Sequence, residues 1–226
     1  FESFFKYQGR EFIHREHKHE NMNAIDQKKR IMVIGAHPDD SEFIAGGLAI
    51  KLIQTGAFVQ FLAVTNGNVG HHSIPPDQLA KIREKEAQAS AKVLGVKYEC
   101  LGINDGEVLP NLEQERKLIH AIRRFNPDMI ITHRPYDYHR DHRYTGQLVM
   151  DASTMLRQVF YYPEVPAMSR DMPVIAYGYD AFTHPYPLEP HVILDVSQVY
   201  DQKIMALMQH VSQMFDAMPF SMGLEN

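Results

Sequence analysis

Four consecutive residues, His37-Pro38-Asp39-Asp40, combine an imidazole with two carboxylates directly after a short apolar run. His37 and Asp40 are three residues apart, so one helical turn can bring both side chains to the same side. Asp39 then points elsewhere, where it can act on a group bound beside a metal ion. The alternative is that these carboxylates only cap the following helix, since negative charge suits the positive end of a helix. Capping accounts for one carboxylate, but not for two together with a histidine.

A second polar segment, Tyr138–Arg143, carries two further imidazoles. One of them would complete a set of two histidines and one carboxylate, which holds a divalent metal ion and leaves coordination positions open for catalysis. We choose His142 as that ligand and assign Asp141 and His139 to orienting and acid roles. The alternative is an exposed polar loop without a metal ion. The predicted ligands are therefore His37, Asp40 and His142.

Apolar runs and amphipathic stretches alternate along the chain from Arg30 onward. The predicted strands are Ile31–Ala36, Phe58–Val64, Lys97–Leu101, Asp128–Thr132, Val174–Tyr179 and His191–Val196. The predicted helices are Glu42–Thr55, Asp77–Leu94, Leu112–Phe125, a helix after the polar loop Arg134–His142 that runs to about Arg157, and Gln198–Met214. This alternation indicates right-handed crossovers and an α/β fold, a Rossmann-like three-layer sandwich with a mostly parallel sheet.

This fold class places the two polar segments next to each other. In a sheet of order 3-2-1-4-5, strands 1 and 4 are neighbours at the topological switch point, and ligands bind outside their carboxyl ends. His37 follows the first strand, and the loop 133–142 follows the fourth. We therefore expect a metal site at the C-terminal ends of strands 1 and 4. A nucleotide-binding Rossmann protein is disfavoured, because Gly35-Ala36-His37 lacks the Gly-x-Gly-x-x-Gly turn.

Composition argues against several other classes of protein. The 226 residues, 44% hydrophobic and 23% charged, are typical of one globular domain. A net charge of −5 argues against a nucleic-acid partner. No run of the sequence approaches the roughly 18 apolar residues of a membrane-spanning helix. The single cysteine, Cys100, rules out an intrachain disulfide and fits a reducing, cytoplasmic location.

Residues 1–29 differ from the rest, and we predict that they form an N-terminal extension to a single domain at 30–226. They are dense in charge and show no sustained apolar period after Phe4 and Phe5. His14, His17 and His19 could form a metal-binding tract, but a solvated charged stretch is the more common use of such a composition.

The order of motifs along the chain resembles that of a known family. His37-Pro38-Asp39-Asp40 after an apolar strand, followed later by a His-x-Asp-His motif at 139–142, is similar to the PIG-L/LmbE family of metal-dependent N-acetylglucosamine deacetylases. The resemblance extends from about Arg30 to Gln213. It includes Ile82–Ala87, which leads to Leu94-Gly95-Val96, and the late motif His210-Val211-Ser212-Gln213. Each motif alone is weak, but the ordered set is specific.

The resemblance implies a role for each residue of the two main motifs. Asp39 would be the general base, and His139 would stabilise the tetrahedral intermediate. Asp141 would orient His139, and Arg83 would contact the substrate. We expect Asn66 to contact substrate as well, because its loop opens toward the same crevice. The ion, Zn²⁺ or alternatively Fe²⁺ or another divalent metal, would be bound by His37, Asp40 and His142.

The implied reaction is hydrolysis of the acetamide of an N-acetylglucosamine-type amino sugar or its conjugate. The resemblance further implies a homo-oligomer, a trimer or hexamer, that acts on a small molecule. The alternatives are an amidase of a sugar–thiol conjugate, a non-haem Fe(II) enzyme, and a non-catalytic metal- or carbohydrate-binding module. Fe(II) oxygenases share the ligand set but usually carry it on a β-barrel, which the alternation of strands and helices disfavours. A binding module has no use for Asp39 beside a complete ligand set.

Overall fold

The computed structural model describes residues 28–224, and within them five parallel strands form one sheet. The strands are β1 (Arg30–Gly35), β2 (Phe58–Thr65), β3 (Lys97–Ile103), β4 (Met129–Thr132) and β5 (Val174–Tyr177). Their order across the sheet is β3-β2-β1-β4-β5, with every neighbouring pair parallel. The predicted α/β class and strand order are therefore confirmed, and β1 and β4 are neighbours at the switch point.

Helices cover both faces of this sheet. They are α1 (Asp40–Gln54), α2 (Pro76–Leu94), α3 (Leu112–Phe125), α4 (Arg140–Ser153), α5 (Tyr200–Leu207) and α6 (Met218–Ser221), with a 3₁₀ turn at Ser197–Val199 and a π-helical stretch at Ser212–Ala217. Alternate residues of a strand face opposite sides of its sheet. Met32 and Ile34 of β1 accordingly pack in the core against α3 and α4, whereas Ile31 and Val33 pack in the core against α1, α2 and α5. This is the predicted three-layer arrangement.

Three predicted elements were wrong in detail. The residues 191–196 form no strand within the described chain, and Val192 and Ile193 are 85% and 84% exposed. Their β-branched side chains favour a strand, but strand propensity is expressed only where a partner strand and a surface to pack on exist. The predicted last helix is interrupted after Leu207. Helix α4 begins at Arg140 and ends at Ser153, so Asp141 and His142 lie in its first turn and not in a loop.

Two further sequence-based expectations concern the ends of the chain and the membrane. β1 begins at Arg30, and the single domain at 30–226 with an N-terminal extension stays a prediction. The residues 1–27, which include His14, His17 and His19, lie outside the described residues. Among the described helices, none combines the length and the apolar character needed to cross a bilayer.

Arg123 of α3 holds together the segment that follows α4. Its guanidinium, 4% exposed, donates to six backbone carbonyls, those of Met155, Leu156, Gln158, Tyr161, Tyr162 and Val165. We expect Arg123→Met to lower the free energy of unfolding by about 3 kcal/mol or more, because buried carbonyls would lose their donors. Urea unfolding measures this change.

The neighbouring Arg124, which is exposed and paired with Glu99 at the surface, is the control. Arg124→Met should change the free energy of unfolding by less than about 1 kcal/mol. An equal loss of stability in both variants would contradict this role for Arg123.

Candidate active site

The turn between β1 and α1 brings the first motif together. Gly35 ends β1, and a Cβ atom there would lie 2.6 Å from the Cβ of Asp40, so the strand end and the helix start can approach this closely only at a glycine. The His37 backbone N–H donates to Asp40 Oδ2 at 2.7 Å, which turns the Asp40 carboxylate back toward the strand end. His37 and Asp40 therefore lie on one side of the turn, as their spacing predicts.

His142 of α4 reaches the same point from the neighbouring strand β4. Its Nε2 lies 3.2 Å from His37 Nδ1 and 3.4 Å from Asp40 Oδ1, and Asp40 Oδ2 lies 3.3 Å from His37 Nδ1. Two nitrogen ligands of a tetrahedral zinc ion, each about 2.05 Å from it, are about 3.3 Å apart. The three side chains thus have the donor types and spacing of a divalent metal site, and His37, Asp40 and His142 form one of the groups that could hold such an ion.

Three carboxylates orient the outer nitrogens of the two imidazoles. His37 Nε2 lies 3.2 Å from Asp105 Oδ1 and 3.6 Å from Asp141 Oδ2, and His142 Nδ1 lies 3.1 Å from Asp137 Oδ2. Histidine ligands of metal ions usually donate their other ring N–H to a carboxylate, a carbonyl or water. This arrangement favours the inner nitrogens, His37 Nδ1 and His142 Nε2, as the metal-facing atoms.

His133, Asp105 and Asp137 were not among the predicted site residues. His133 Nε2 lies 3.2 Å from Asp40 Oδ2, and its ring stacks on His142 with 4.0 Å between centroids. His133 and Asp137 belong to the polar loop after β4. Their position in that loop was the sequence signal that could have predicted them as site residues. Asp105 follows β3, and no sequence signal placed it near His37, because their contact depends on how the loop after β3 crosses the sheet edge.

Electrostatics couple these groups strongly when no metal ion is bound. Burial opposes ionisation of Asp40, but the positive charges of His142, His133 and His37 outweigh it and hold the pKa of Asp40 well below its ordinary value. Burial would lower the pKa of His142, yet Asp40 and the hydrogen bond with Asp137 raise it to about 9. The pKa of His37 is likewise raised well above its usual value, since the charge of Asp40 and hydrogen bonds with Asp105 and Asp141 overcome its burial.

Metal binding to this cluster is expected to become tighter as pH rises from about 6.5 to about 9. Imidazole binds metal ions only when the ligating nitrogen is deprotonated, so an ion must displace the proton of His142, whose pKa is about 9 in the metal-free protein. In the metal-free protein, protonated His142 also contributes to the free energy of unfolding. This contribution is fully present below pH 6.5, the pKa of histidine in the unfolded chain, and is lost as pH rises through about 9. Titration of the metal-free protein with Zn²⁺ at several pH values measures the affinity. A pH-independent affinity over this interval would contradict the prediction.

Asp39 lies beside the cluster and pairs with Arg83 of α2. Asp39 Oδ1 is 3.0 Å from Arg83 Nη2, and both side chains are almost fully buried. The loop between β2 and α2 makes room for the guanidinium, because a Cβ atom at Gly67 would lie 2.7 Å from Arg83 Nη1. Gly67 also has a φ of +65°, a conformation that favours glycine. The structure thus brings together the residues predicted to act as general base and substrate contact.

His139 and Asp141 differ from the expected arrangement. The Asp141 carboxylate was expected to orient His139, but it accepts from the Gly106 N–H at 2.6 Å and faces His37. The Asp141 backbone N–H instead donates to His139 Nδ1 at 3.2 Å, because His139 is the N-cap of α4. Burial and the positive charges of His142 and His37 lower the pKa of His139. Because Nδ1 accepts from the Asp141 N–H, a neutral His139 ring carries its proton on Nε2.

A cleft of about 530 Å³ opens over these groups. Asp39, Arg83, Asp105 and His139 line it together with the three predicted ligands, and residues 178–182 form one of its walls. Asn66 is not among the lining residues. Its side chain accepts from the Asn68 N–H at 3.1 Å and shapes the loop after β2, so its contact with substrate stays a prediction.

The late motif His210–Gln213 is held next to the cleft by one buried and one partly buried contact. His210 Nε2 lies 3.2 Å from Glu42 Oε1 of α1, and Ser212 donates through its N–H and hydroxyl to Glu86 of α2. Burial raises the pKa of Glu42. These contacts anchor the C-terminal segment, from which Gln213 and Met218 line the cleft.

A parallel sheet with two histidines and a carboxylate clustered at its switch point defines an α/β protein with a candidate metal centre in an open cleft. The chain belongs to the PIG-L family, because the family model described as GlcNAc-PI de-N-acetylase matches residues 32–153. This match confirms the family resemblance, and it covers both motifs of the site.

Individual relatives are similar over most of the chain. Diacetylchitobiose deacetylase of Thermococcus kodakarensis is 28% identical over 82% of this chain and 70% of its own length. The structure of N,N'-diacetylchitobiose deacetylase from Pyrococcus horikoshii matches with a TM-score of 0.76 and 28% identity, covering 86% of this chain and 74% of that one. A 4-oxalmesaconate hydratase of Pseudomonas putida is 25% identical over 83% of this chain and 74% of its own length.

Proposed function

We propose that this protein is a metal-dependent hydrolase that removes the N-acetyl group from an N-acetylglucosamine-type amino sugar or its conjugate. The observation that carries the proposal is Asp39, a buried carboxylate that lines the cleft beside the cluster but is not part of it. A site that only bound a metal ion or a sugar would not need a further carboxylate held in place by Arg83. The two relatives named diacetylchitobiose deacetylases support the same reaction and substrate class.

We infer that His37, Asp40 and His142 bind the ion, and that it is Zn²⁺. Two imidazole nitrogens and one carboxylate oxygen suit zinc in its catalytic sites, although Fe²⁺ uses the same donors. A bound ion would lower the pKa of its water ligand and polarise the amide carbonyl. Asp137 and Asp105 orient the two imidazoles.

The remaining steps fall to side chains that line the cleft. Asp39 accepts a proton from the attacking water and passes it to the nitrogen of the leaving amine, so that acetate and the free amino sugar are formed. Arg83, 3.0 Å from Asp39, fixes the orientation of this carboxylate. His139 donates through its Nε2–H to the carbonyl oxygen as negative charge develops there. A neutral imidazole is sufficient for this role, because Nδ1 accepts from the Asp141 N–H and leaves Nε2 as the donor.

Acetate release from a panel of N-acetylglucosamine derivatives tests the proposal. Metal-free protein and protein refilled with Zn²⁺ or Fe²⁺ are compared, and the free amine is quantified in the same samples. We expect equal amounts of acetate and amine, formed only when metal is present. Release of amine with a larger acid would instead indicate a conjugate amidase. An unsaturated acid is assayed in parallel, and its hydration without amine release from the panel would indicate a hydratase, as the Pseudomonas putida relative is named.

We also propose that the chain assembles as a homo-oligomer, a trimer or hexamer, as the family resemblance implies. Size-exclusion chromatography with light scattering measures the molar mass. A mass equal to the single chain of 26.0 kDa would contradict this proposal without affecting the proposed reaction.

A further inference from the structure

The segment 178–186, called here the 178–186 wall, forms one side of the cleft. It follows β5, and Gly178, Tyr179, Asp180, Ala181 and Phe182 line the cavity. Gly178 packs so closely against α1 that a Cβ atom there would lie 2.3 Å from Ile44 Cγ2. The wall and the candidate metal ligands thus line the same cleft.

Backbone hydrogen bonds do not explain the shape of the 178–186 wall. The Gly178 N–H donates to the Thr132 carbonyl at 2.9 Å and continues the pairing of β4 with β5. Beyond Gly178, no backbone-to-backbone hydrogen bond involves residues 179–195 within the described part of the chain. A segment of this kind is held by side chains or is free to open locally.

The side chain of Arg134 supplies the missing contacts. Arg134 follows His133 directly after β4 and is 5% exposed. Its Nε and Nη2 donate to the two carboxylate oxygens of Asp180 at 2.6 and 2.5 Å, its Nη1 donates to the Tyr186 carbonyl at 3.0 Å, and Nη2 also reaches the Phe182 carbonyl at 3.2 Å. One guanidinium thus binds the wall at three residues.

Aromatic contacts from the loop after Arg134 add to this attachment. The ring centroids of Tyr138 and Phe182 lie 4.3 Å apart, and the His184 N–H donates to the Tyr138 hydroxyl at 3.3 Å.

Both oxygens of Asp180 accept hydrogen bonds from Arg134, and Oδ1 also accepts from the Phe182 N–H at 3.0 Å. Both oxygens of Asp180, which lines the cleft, are therefore committed to holding the wall.

We propose that Arg134 is a positioning residue for substrate recognition, which acts by holding the 178–186 wall through Asp180 and the carbonyls of Phe182 and Tyr186. The wall contacts the part of the substrate beyond the acetamido group, so Arg134 contributes to binding and not to the chemical step. This proposal rests on the proposed hydrolase function. The planar fork of arginine is required, because lysine cannot engage both carboxylate oxygens and two carbonyls from one fixed position.

Two variants test the proposal by independent routes, Asp180→Asn and Arg134→Lys. Both are measured as zinc-loaded protein, first by hydrogen exchange of peptides that span the wall and then by kinetics on the best substrate of the panel. We expect exchange in residues 178–186 to become at least about tenfold faster, with exchange at β1 and the start of α1 unchanged. We expect KM to rise at least about tenfold while kcat stays within about threefold and the zinc content is unchanged.

The control is Arg170→Gln. Arg170 also pairs with an aspartate, Asp128, at 2.8 Å, but it does not line the cleft. This variant should leave KM and exchange at the wall unchanged. General destabilisation would reduce the active fraction, which lowers apparent kcat without raising KM.

Each outcome decides the proposal. Unchanged exchange at the wall in Asp180→Asn overturns it, and so does faster exchange with an unchanged KM. A lower kcat at constant KM would show a structural role only. If the wild-type protein hydrolyses no compound of the panel, the proposed function fails at that step, before any variant is compared.

Discussion

Replacing Asp39 with asparagine is expected to lower kcat by about 10²- to 10⁴-fold, the usual contribution of a general base. Asparagine has nearly the same shape and keeps an oxygen in the position that lies 3.0 Å from Arg83 Nη2, so the local structure should persist. Asp39 is not one of the three residues grouped as metal ligands, so the metal content should not change. Acetate release and metal analysis of the same preparation measure both quantities.

A matched control is available in the exposed first turn of α2. Asp77→Asn removes one carboxylate at the surface and should leave kcat and metal content unchanged. Retained turnover in Asp39→Asn would remove Asp39 from the mechanism. Loss of the metal ion in this variant would show that Asp39 is a ligand and that the assignment of the cluster is wrong.

Replacing His142 with alanine is expected to abolish both metal binding and activity. Removal of a residue that merely orients a ligand typically weakens metal affinity by about 10- to 100-fold, and loss of a ligand should exceed that range. His142 Nε2 faces both His37 Nδ1 and Asp40 Oδ1, so its absence leaves only two of the three predicted donors. Zinc titration monitored by calorimetry gives the affinity.

His120 of α3 provides the corresponding control. It is a partly buried histidine that contacts Glu164 and Tyr162 and does not line the cleft. His120→Ala should bind zinc as the wild-type protein does. If His142→Ala binds zinc with undiminished affinity, the ion lies elsewhere, and the group formed by His37, Asp105 and Asp141 becomes the place to examine.

The identity of the motif residues and the sheet that carries them were predictable from local pattern. Continuous apolar runs such as Ile31–Ala36 indicate strands buried on both faces, and their alternation with amphipathic helices requires parallel pairing. The pairing of β1 with β4 then follows from the expected strand order, and it places His37 and His142 at one edge. The prediction of the three candidate ligands needed only this much geometry.

Other parts of the site depend on paths that no local pattern encodes. Asp105 reaches His37 because the loop after β3 crosses the sheet edge. The Asp141 carboxylate faces His37 because α4 begins at Arg140, the residue before Asp141. Asn66 lies in the predicted loop, but its side chain closes a turn with Asn68. The residues 191–196 have the composition of a strand and no strand beside them in the described chain.

The sequence by itself therefore determined the fold class, the strand order and the candidate metal ligands, since side-chain type and hydrophobic period are properties of short segments. Only the tertiary structure decided which carboxylate orients which imidazole and that Arg134 holds a wall of the cleft. Most of those contacts join residues separated by about 50 or more positions, such as Arg134 and Tyr186 or His37 and Asp105. Their distances are set by the register of the sheet and the routes of its loops, which are known only when the whole chain has folded.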